Sequence, residues 1–279
     1  MAFGPERLGA ALSALEPAWR SSEFCVAVSG GLDSSALLHA LAALRAGNEA
    51  LRVRAVHVDH GLQSESAAWA DACAGFCQSL KIDLSVLRLG LTPAAGESVE
   101  AHARDARYAA IARILKPGEW LLTAHHRDDQ METVLIQLLR GAGVAGLAAM
   151  PARAPLGAGW HGRPLLEIDR AWLAAYAQMA GLTWVSDPTN NAMRFDRGWL
   201  REQVLPPLRA RWPQAALTIS RSAGHLAGAA RLLATLAESD AAGLLDKGRL
   251  AIDGLRRLPQ DRQANLLRWW IREQGLGAP

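Results

Sequence analysis

Phe24-Cys25-Val26-Ala27-Val28-Ser29-Gly30-Gly31-Leu32-Asp33-Ser34 is the stretch whose reading decides the fold. The apolar run from Phe24 to Val28 reads as a strand, and the stretch from Ser34 to Leu44 reads as a helix. Between them, two adjacent glycines permit a tight turn that aims successive N–H groups into one concavity at the positive end of the helix. Ser29 and Ser34 can add hydroxyl donors. The loop has neither the length nor the terminal Gly-Lys-Ser/Thr of a Walker A motif, and it lacks the Gly-x-Gly-x-x-Gly spacing of dinucleotide folds. A lone Gly-Gly would be read as a turn capped by Ser and Asp. With every polar and glycine position filled after a strand, phosphate binding is the better reading, and Ser29, Gly30, Gly31, Leu32, Asp33 and Ser34 are its candidate residues.

Outward from this loop, four further segments read as strands: Val53–Val58, Asp83–Leu89, Trp120–Ala124 and, more weakly patterned, Arg163–Ile168. Helical patterns separate them at Ser34–Ala46, Ser66–Leu80, Ser98–Leu115 and Asp129–Arg140. Strand and helix in alternation predict an α/β fold with a doubly wound, mostly parallel sheet, whose ligands bind at the carboxyl ends of the strands. Met150 to Gly162 is rich in Pro, Gly and Ala and reads as a loop; Ala171–Ala180 is a short amphipathic helix, and Ser186–Asn191 is a turn. After Arg211-Trp212-Pro213 the chain is Ala-, Leu- and Arg-rich with helical period. The expected organisation is a catalytic domain over 1–212 and a helical region over 213–279. The helical region, which stops at Pro279, is expected to be truncated or else a naturally short form.

Half of the 279 residues are hydrophobic, enough for one substantial core and a smaller second body. No run of about 18 apolar residues is present, so no membrane span is expected, and the N-terminus lacks the form of a secretory signal. Three cysteines, Cys25, Cys73 and Cys77, suit reduced thiols in a cytoplasmic protein. The net charge of +3 is uneven: residues 1–193 carry 16 basic and 19 acidic groups, residues 194–279 carry 14 and 8. The C-terminal third is the better face for a polyanion, with solvated helix faces as the equal alternative.

The chemistry collects after the strand Trp120–Ala124, at His125-His126-Arg127-Asp128-Asp129-Gln130-Met131-Glu132. Asp129 and Glu132 share one helical face at the helix N-terminus. Such a pair can bind Mg²⁺ or hold the ammonium of an amine substrate, although acids in a first helical turn are also ordinary dipole partners. His125, at the strand end, can donate to developing charge or move a proton. His57-Val58-Asp59-His60-Gly61 closes the second strand and is expected to line the nucleotide pocket. A zinc site on His57 and His60 is disfavoured, because alternate strand residues face opposite sides and no Cys-x-x-Cys completes it. Arg104 and Arg107 lie one helical turn apart and can clamp phosphate oxygens or pair with nearby acids; Arg197 and Arg201 pose the same choice.

Taken together, Ser29–Ser34, His57–Gln63, Ala103–Tyr108, Thr123–Met150, Arg163–Leu166, Trp184–Asn190 and Arg194–Arg201 resemble the bacterial tRNA(Ile)-lysidine synthetases of the PP-loop ATP pyrophosphatase superfamily. The glycine loop alone specifies only the superfamily; the later segments, in this order, are more specific. The resemblance implies a ligase that uses ATP and Mg²⁺ to join free L-lysine to the wobble cytidine of an isoleucine tRNA with a CAU anticodon. In that chemistry the cytosine carbonyl oxygen attacks the α-phosphate, and lysine then displaces AMP. By resemblance Asp33 organises Mg²⁺ or the amine, His57 joins the ATP site, and Asp129 and Glu132 hold the lysine ammonium. His125 with Arg104 or Arg107 attends the phosphates, with Arg201 or Arg197 as the second arginine, and Arg197 and Arg201 are also expected to contact tRNA. A homodimer is left open.

The family's Arg-Asn-x-x-Arg is here Arg197-Gly198-Trp199-Leu200-Arg201, so whatever contact the Asn makes is absent. The rivals are a thiolase of the same superfamily, which needs reactive or cluster-binding cysteines, an amide-transferring ligase, and a silent nucleotide- or RNA-binding module.

Overall fold

A computed structural model describes residues 2–61, 66–90, 99–185 and 196–276. Gln63, Ser98, the Ser186–Asn191 turn and Arg194-Phe195, all used above, lie outside the described residues. The chain divides into two compact units: Met1–Ile136 with Met150–Ser220, and Gln137–Ala149 with Arg221–Pro279.

The first unit is built on strands β1 (Glu23–Ala27), β2 (Arg52–Asp59), β3 (Leu84–Arg88), β4 (Trp120–Leu122), β5 (Arg153–Leu156) and β6 (Gly159–Gly162). They form one sheet in the order β3-β2-β1-β4-β6-β5, parallel throughout except for the antiparallel β5–β6 pair. The expected α/β class and mostly parallel sheet are therefore present. Strand parity sorts the core. Phe24, Val26 and Val28 face one side with α1 (Pro5–Leu15), α2 (Leu32–Ala46) and α7 (Arg170–Met179), while Cys25 and Leu121 face the other with Ile111 and Leu115 of the α4 (Val99–Ile114) region. Burying a side chain such as Phe24 or Leu121 stabilises the fold by roughly 1.5–3 kcal/mol. Helix α3 (Ser66–Ser79) packs on the first side through Cys73 and Cys77.

Two elements differ from the sequence reading. Met150–Gly162 is not a loop; it contains the β5–β6 hairpin. Its glycines carry the turn and a close approach, not disorder: Gly157 sits at φ +56, and a β-carbon there would meet the Ala112 carbonyl oxygen at 2.5 Å. A β-carbon on Gly159 would clash with the Glu119 carbonyl oxygen. Arg163–Ile168 is not a strand but a turn closed by Ile168 N–H on the Leu165 carbonyl (2.8 Å). Its apolar residues signal burial, since Leu165 and Ile168 are in the core, and Pro164 has no N–H for a ladder.

Helix α5 (Arg127–Leu139) follows β4, and the four-residue α6 (Val144–Leu147) comes next. Beyond α7, a short helix α8 (Asp196–Trp199) runs into a π-helical turn at Leu200–Val204 and then α9 (Leu205–Arg211). The C-terminal residues form α10 (Ala215–Ala241), a two-stranded hairpin β7 (Leu245–Asp246) and β8 (Arg249–Leu250), α11 (Ile252–Arg256) and α12 (Gln260–Glu273). In the second unit, Ala237, Ala241 and Leu266 make a small core, and Arg262 pairs with the buried Asp240.

Strand order decides where a ligand can sit. The sheet runs outward from β1 to β2 and β3 on one side and to β4 on the other, so the loops after β1 and β4 diverge over a crevice. The glycine loop follows β1, and His125-His126 follows β4.

Candidate active site

The loop after β1 is shaped by its own hydroxyls. Ser29 N–H donates to Ser34 Oγ (3.2 Å), and Ser34 Oγ–H donates to the Gly31 carbonyl (3.0 Å). Gly30 lies at φ +81, and its carbonyl accepts from Val185 N–H (2.8 Å). The backbone there favours glycine, and a β-carbon on Gly30 would stand 3.2 Å from Cys73 Sγ, which would have to give slightly. Gly31 is different. It is the extended N-cap of α2 (φ −78, ψ 164), and a β-carbon there would meet only Ser29 Oγ, at 3.4 Å. Among the described residues nothing else crowds position 31, so the missing side chain leaves room for something to approach. Among the described residues no side chain caps α2, and the first N–H groups of a helix have no partner within it.

Across the crevice, α5 begins immediately after His126. Asp129 stands at the third helical position and accepts from His126 N–H through Oδ2 (2.9 Å), closing the helix as an N-terminal capping acid does. The imidazole of His126 is wedged between carboxylates: Nε2 is 3.6 Å from Asp33 Oδ2 and 3.5 Å from Asp129 Oδ2. Burial alone would push His126 down, but the hydrogen bond to Asp33 and the charges of Asp129, Asp33 and Asp128 outweigh it and raise it. Burial would likewise raise Asp33; His126 and then Arg170, 3.5 Å away, pull its carboxyl below the usual range. The crevice therefore favours the charged form of the imidazole between two carboxylates.

Glu132 is 2% exposed and gripped by Arg201, with Nε donating to Oε1 (2.6 Å) and Nη2 to Oε2 (2.9 Å). Arg201 Nη2 also donates to Asp129 Oδ1 (3.2 Å), and Arg197 approaches Glu132 at 3.9 Å while donating to Thr133 Oγ1 (3.2 Å). Desolvation still holds Glu132 above the usual glutamate range despite Arg201. The site can thus neutralise a cation at Asp129 and Glu132, and Arg201, carried on the π-helical turn, fills that role in this structure.

The predicted residues do not all meet. Asp33, Asp129 and Glu132 gather with the loop. His125 sits at the same strand end, its Nδ1 2.8 Å from Thr123 Oγ1, and burial pushes it down to about 4, with Arg163, Arg104 and Arg197 opposing its charge and Asp129 favouring it. His57 is buried behind the loop, where Nδ1–H donates to the Val28 carbonyl (2.8 Å) and braces the strand end. Arg107 donates to His60 Nε2 (2.8 Å), and Arg104 lies over the Tyr108 ring, 5.7 Å from its centroid. Arg197 and Arg201, expected on the tRNA side, are engaged with the carboxylate pair. His126 and Arg170 belong to the site and were missed. His126 adjoins His125, but only the crevice geometry selects it; Arg170, on α7, has no motif to mark it.

The donor set fits Mg²⁺ in one respect. Asp33 Oδ1 is buried with no hydrogen-bond partner among the described residues, an acceptor open to a hard cation. No cluster of three or more metal-ligating side chains occurs among the described residues. An ion on Asp33 would take its remaining oxygens from nucleotide phosphates and water, as Mg²⁺ ordinarily does.

A switch-point crevice with the glycine loop on one lip and strand-end acids on the other marks a doubly wound α/β protein whose ligand place is at the carboxyl ends of its strands. The chain belongs to the PP-loop family: the PP-loop domain matches residues 7–208, and the TilS substrate binding domain matches residues 250–279. It is 48% identical over 277 residues to a tRNA(Ile)-lysidine synthase of Alkalilimnicola ehrlichii, covering 99% of this chain and 61% of that protein. It is 48% identical over 271 residues to one from Pseudomonas aeruginosa, covering 93% and 61%. The chain thus spans about three-fifths of the length of these curated relatives. Among solved structures, the U34-tRNA thiolase NcsA of Methanococcus maripaludis, with its [4Fe-4S] cluster, shares the fold at TM-score 0.65 and 16% identity, over 79% of this chain and 77% of that one.

Proposed function

We propose that this chain carries the catalytic machinery for joining L-lysine to the wobble cytidine of an isoleucine tRNA with a CAU anticodon, at the expense of ATP. The observation that carries the proposal is the meeting of Asp33, His126 and Asp129 within 3.6 Å, where the glycine loop opens. Similarity to the lysidine synthases supports the identity of the substrates.

The residues divide the work. Leu32, Asp33 and Ser34, at the start of α2, offer backbone N–H groups to the triphosphate, and Gly31 lets its oxygens come close. Asp33 would hold Mg²⁺ through Oδ1, and such an ion would supply neutralisation of charge on the phosphates. The cytosine carbonyl oxygen attacks the α-phosphorus and pyrophosphate leaves, with His125 and either Arg104 or Arg107 stabilising the departing charge. Asp129 and Glu132 hold an ammonium group of lysine, for which Arg201 must give way or share. An amine of lysine then attacks the activated ring carbon, and AMP departs. The basic residues beyond Arg194, including Arg197 in its exposed part, present the face for the tRNA phosphates.

Thiolation fits the side chains less well. Cys25, Cys73 and Cys77 are all buried, and burial pushes their thiols up to about 12, 12 and 11, far from the thiolate that such chemistry needs. A cytoplasmic setting accords with tRNA modification, and no helix among the described residues is long and apolar enough to cross a membrane.

The test is incubation with ATP, Mg²⁺, radiolabelled lysine and isoleucine tRNA transcripts. Label retained in the RNA with AMP formed is expected, and it should vanish in Asp33→Ala and Asp129→Ala variants that keep a wild-type circular dichroism spectrum. Label transfer that persists in those variants would refute the assigned roles.

A further inference from the structure

Behind His125 lies a run of buried polar groups that the scheme above does not use. Thr123 and His125 are two apart, just beyond the end of β4, and their side chains meet. On the neighbouring strand, the β4–β6 register sets Leu121 beside His161, and Thr123 N–H donates to the Gly162 carbonyl. The result is a line of short contacts: Arg163 Nη2 to His161 Nδ1 (3.0 Å), His161 Nε2 to Thr123 Oγ1 (2.9 Å), and Thr123 Oγ1 to His125 Nδ1 (2.8 Å). Arg163, His161 and Thr123 are each less than one-tenth exposed. Arg163 is itself pinned by donating Nη1 to the Pro151 carbonyl (2.7 Å).

The direction of every bond in this line follows from its far end. A guanidinium has donors and no acceptor, so His161 Nδ1 must accept and carries no proton. A neutral imidazole then bears its proton on Nε2, which donates to Thr123 Oγ1. The threonine hydroxyl is left with its own proton, and among the described residues the acceptor within reach is His125 Nδ1. The opposite arrangement, His125 Nδ1–H donating to Thr123, would bury a hydroxyl proton without an acceptor, at a cost of about 1–3 kcal/mol. His125 therefore carries its proton on Nε2. Burial pushes His161 down to about 3 and His125 to about 4, with Arg163 and Arg104 acting on both, Arg197 on His125 and Asp129 alone favouring charge there.

We infer that Arg163, His161 and Thr123 are positioning residues that lock His125 as the neutral Nε2–H tautomer, so that it gives a hydrogen bond to an anionic oxygen of the nucleotide and takes no proton in the reaction. The tautomer is a property of the folded chain alone; its use in turnover rests on the lysidine reading of the site. A general base needs an open lone pair, and here the nitrogen not engaged by Thr123 is the protonated one. A donor fixed before charge develops stabilises that charge without reorganising.

The experiment is long-range proton–nitrogen correlation NMR on the full chain labelled with ¹⁵N-histidine, with His125 assigned by loss of its signals in His125→Gln. The expected spectrum shows Nε2 protonated and Nδ1 bare, unchanged between pH 8 and 6. Thr123→Val, which removes the hydroxyl at equal size, should give mixed tautomers and lower the label-transfer kcat about tenfold, short of the 10²–10³ lost when such a donor is deleted. Thr123→Ser should restore both. A wild-type His125 protonated on Nδ1, or on both nitrogens, would overturn the inference without any variant. So would a Thr123→Val spectrum identical to wild type, or Thr123→Val turnover equal to wild type. Failure of the wild-type chain to label tRNA would instead strike the functional reading, and the tautomer assignment would still be read from the spectrum.

Discussion

Arg201→Ala is the substitution with the most to say about the amine site. It removes two donors from a glutamate that is 2% exposed, and the contact to Asp129 Oδ1 with them. Breaking a buried ion pair from one side costs about 3–5 kcal/mol, because the remaining charge is stranded. Arg201 keeps a third of its side chain in solvent, so water recovers part of the loss and the lower end, about 3 kcal/mol, is expected. At about 2–4 °C per kcal/mol for a unit of this size, the melting temperature should fall by roughly 6–12 °C. Glu132→Gln/Arg201→Ala strands no charge and should melt above Arg201→Ala, with a coupling of about 1–3 kcal/mol in the cycle. Scanning calorimetry in a titration of free lysine carries the functional half of the argument. If an ammonium can occupy the carboxylates, lysine should raise the melting temperature of Arg201→Ala more than that of wild type, since guanidinium no longer competes. Additive melting shifts would refute the stranded-charge argument. Equal lysine responses in the two proteins would refute the shared site.

Two further outcomes test the loop and the sheet. Gly30→Ala should destabilise by about 1–2 kcal/mol through its left-handed backbone, whereas Gly31→Ala should melt at or slightly above wild type yet bind ATP weakly in calorimetric titration; normal ATP binding by Gly31→Ala would show that phosphate does not approach there. Glu119, 1% exposed, accepts from Arg54 Nε (2.6 Å) and Nη2 (2.8 Å) and from Lys116 N–H (2.9 Å). Burial would raise its carboxyl, but Arg54 and the Lys116 amide bring it below the ordinary range. A group depressed on folding contributes stability that is complete above its unfolded pKa, about 4.3, and is lost as pH falls through the folded value. Urea midpoints of wild type should therefore drop below about pH 4 more steeply than those of Glu119→Gln, and parallel acid limbs would contradict this.

The glycine loop could be read from the sequence because its information is local: a strand, two glycines and an uncapped helix lie in consecutive residues. The same holds for Asp129 and Glu132, whose shared face follows from helical spacing. His126 was out of reach for the opposite reason. It and His125 are adjacent, and strand and cap geometry send them to different neighbours, one to Asp33 and the other to Thr123. The β5–β6 hairpin was missed because its glycines look like a loop in sequence, although they mark close approach to Ala112 and Glu119.

Composition, period and motif were sufficient for the α/β class and for placing the glycine loop and the acids at strand ends, since each depends on residues within one or two turns of one another. Which arginine meets which acid, and which histidine meets carboxylates and which meets Thr123, depended on the strand order β1-β4-β6. That order brings residues more than a hundred positions apart, such as Asp33 and Arg170, into contact. Desolvation and ion pairing act over a few ångströms of space, and distance along the chain does not measure that space.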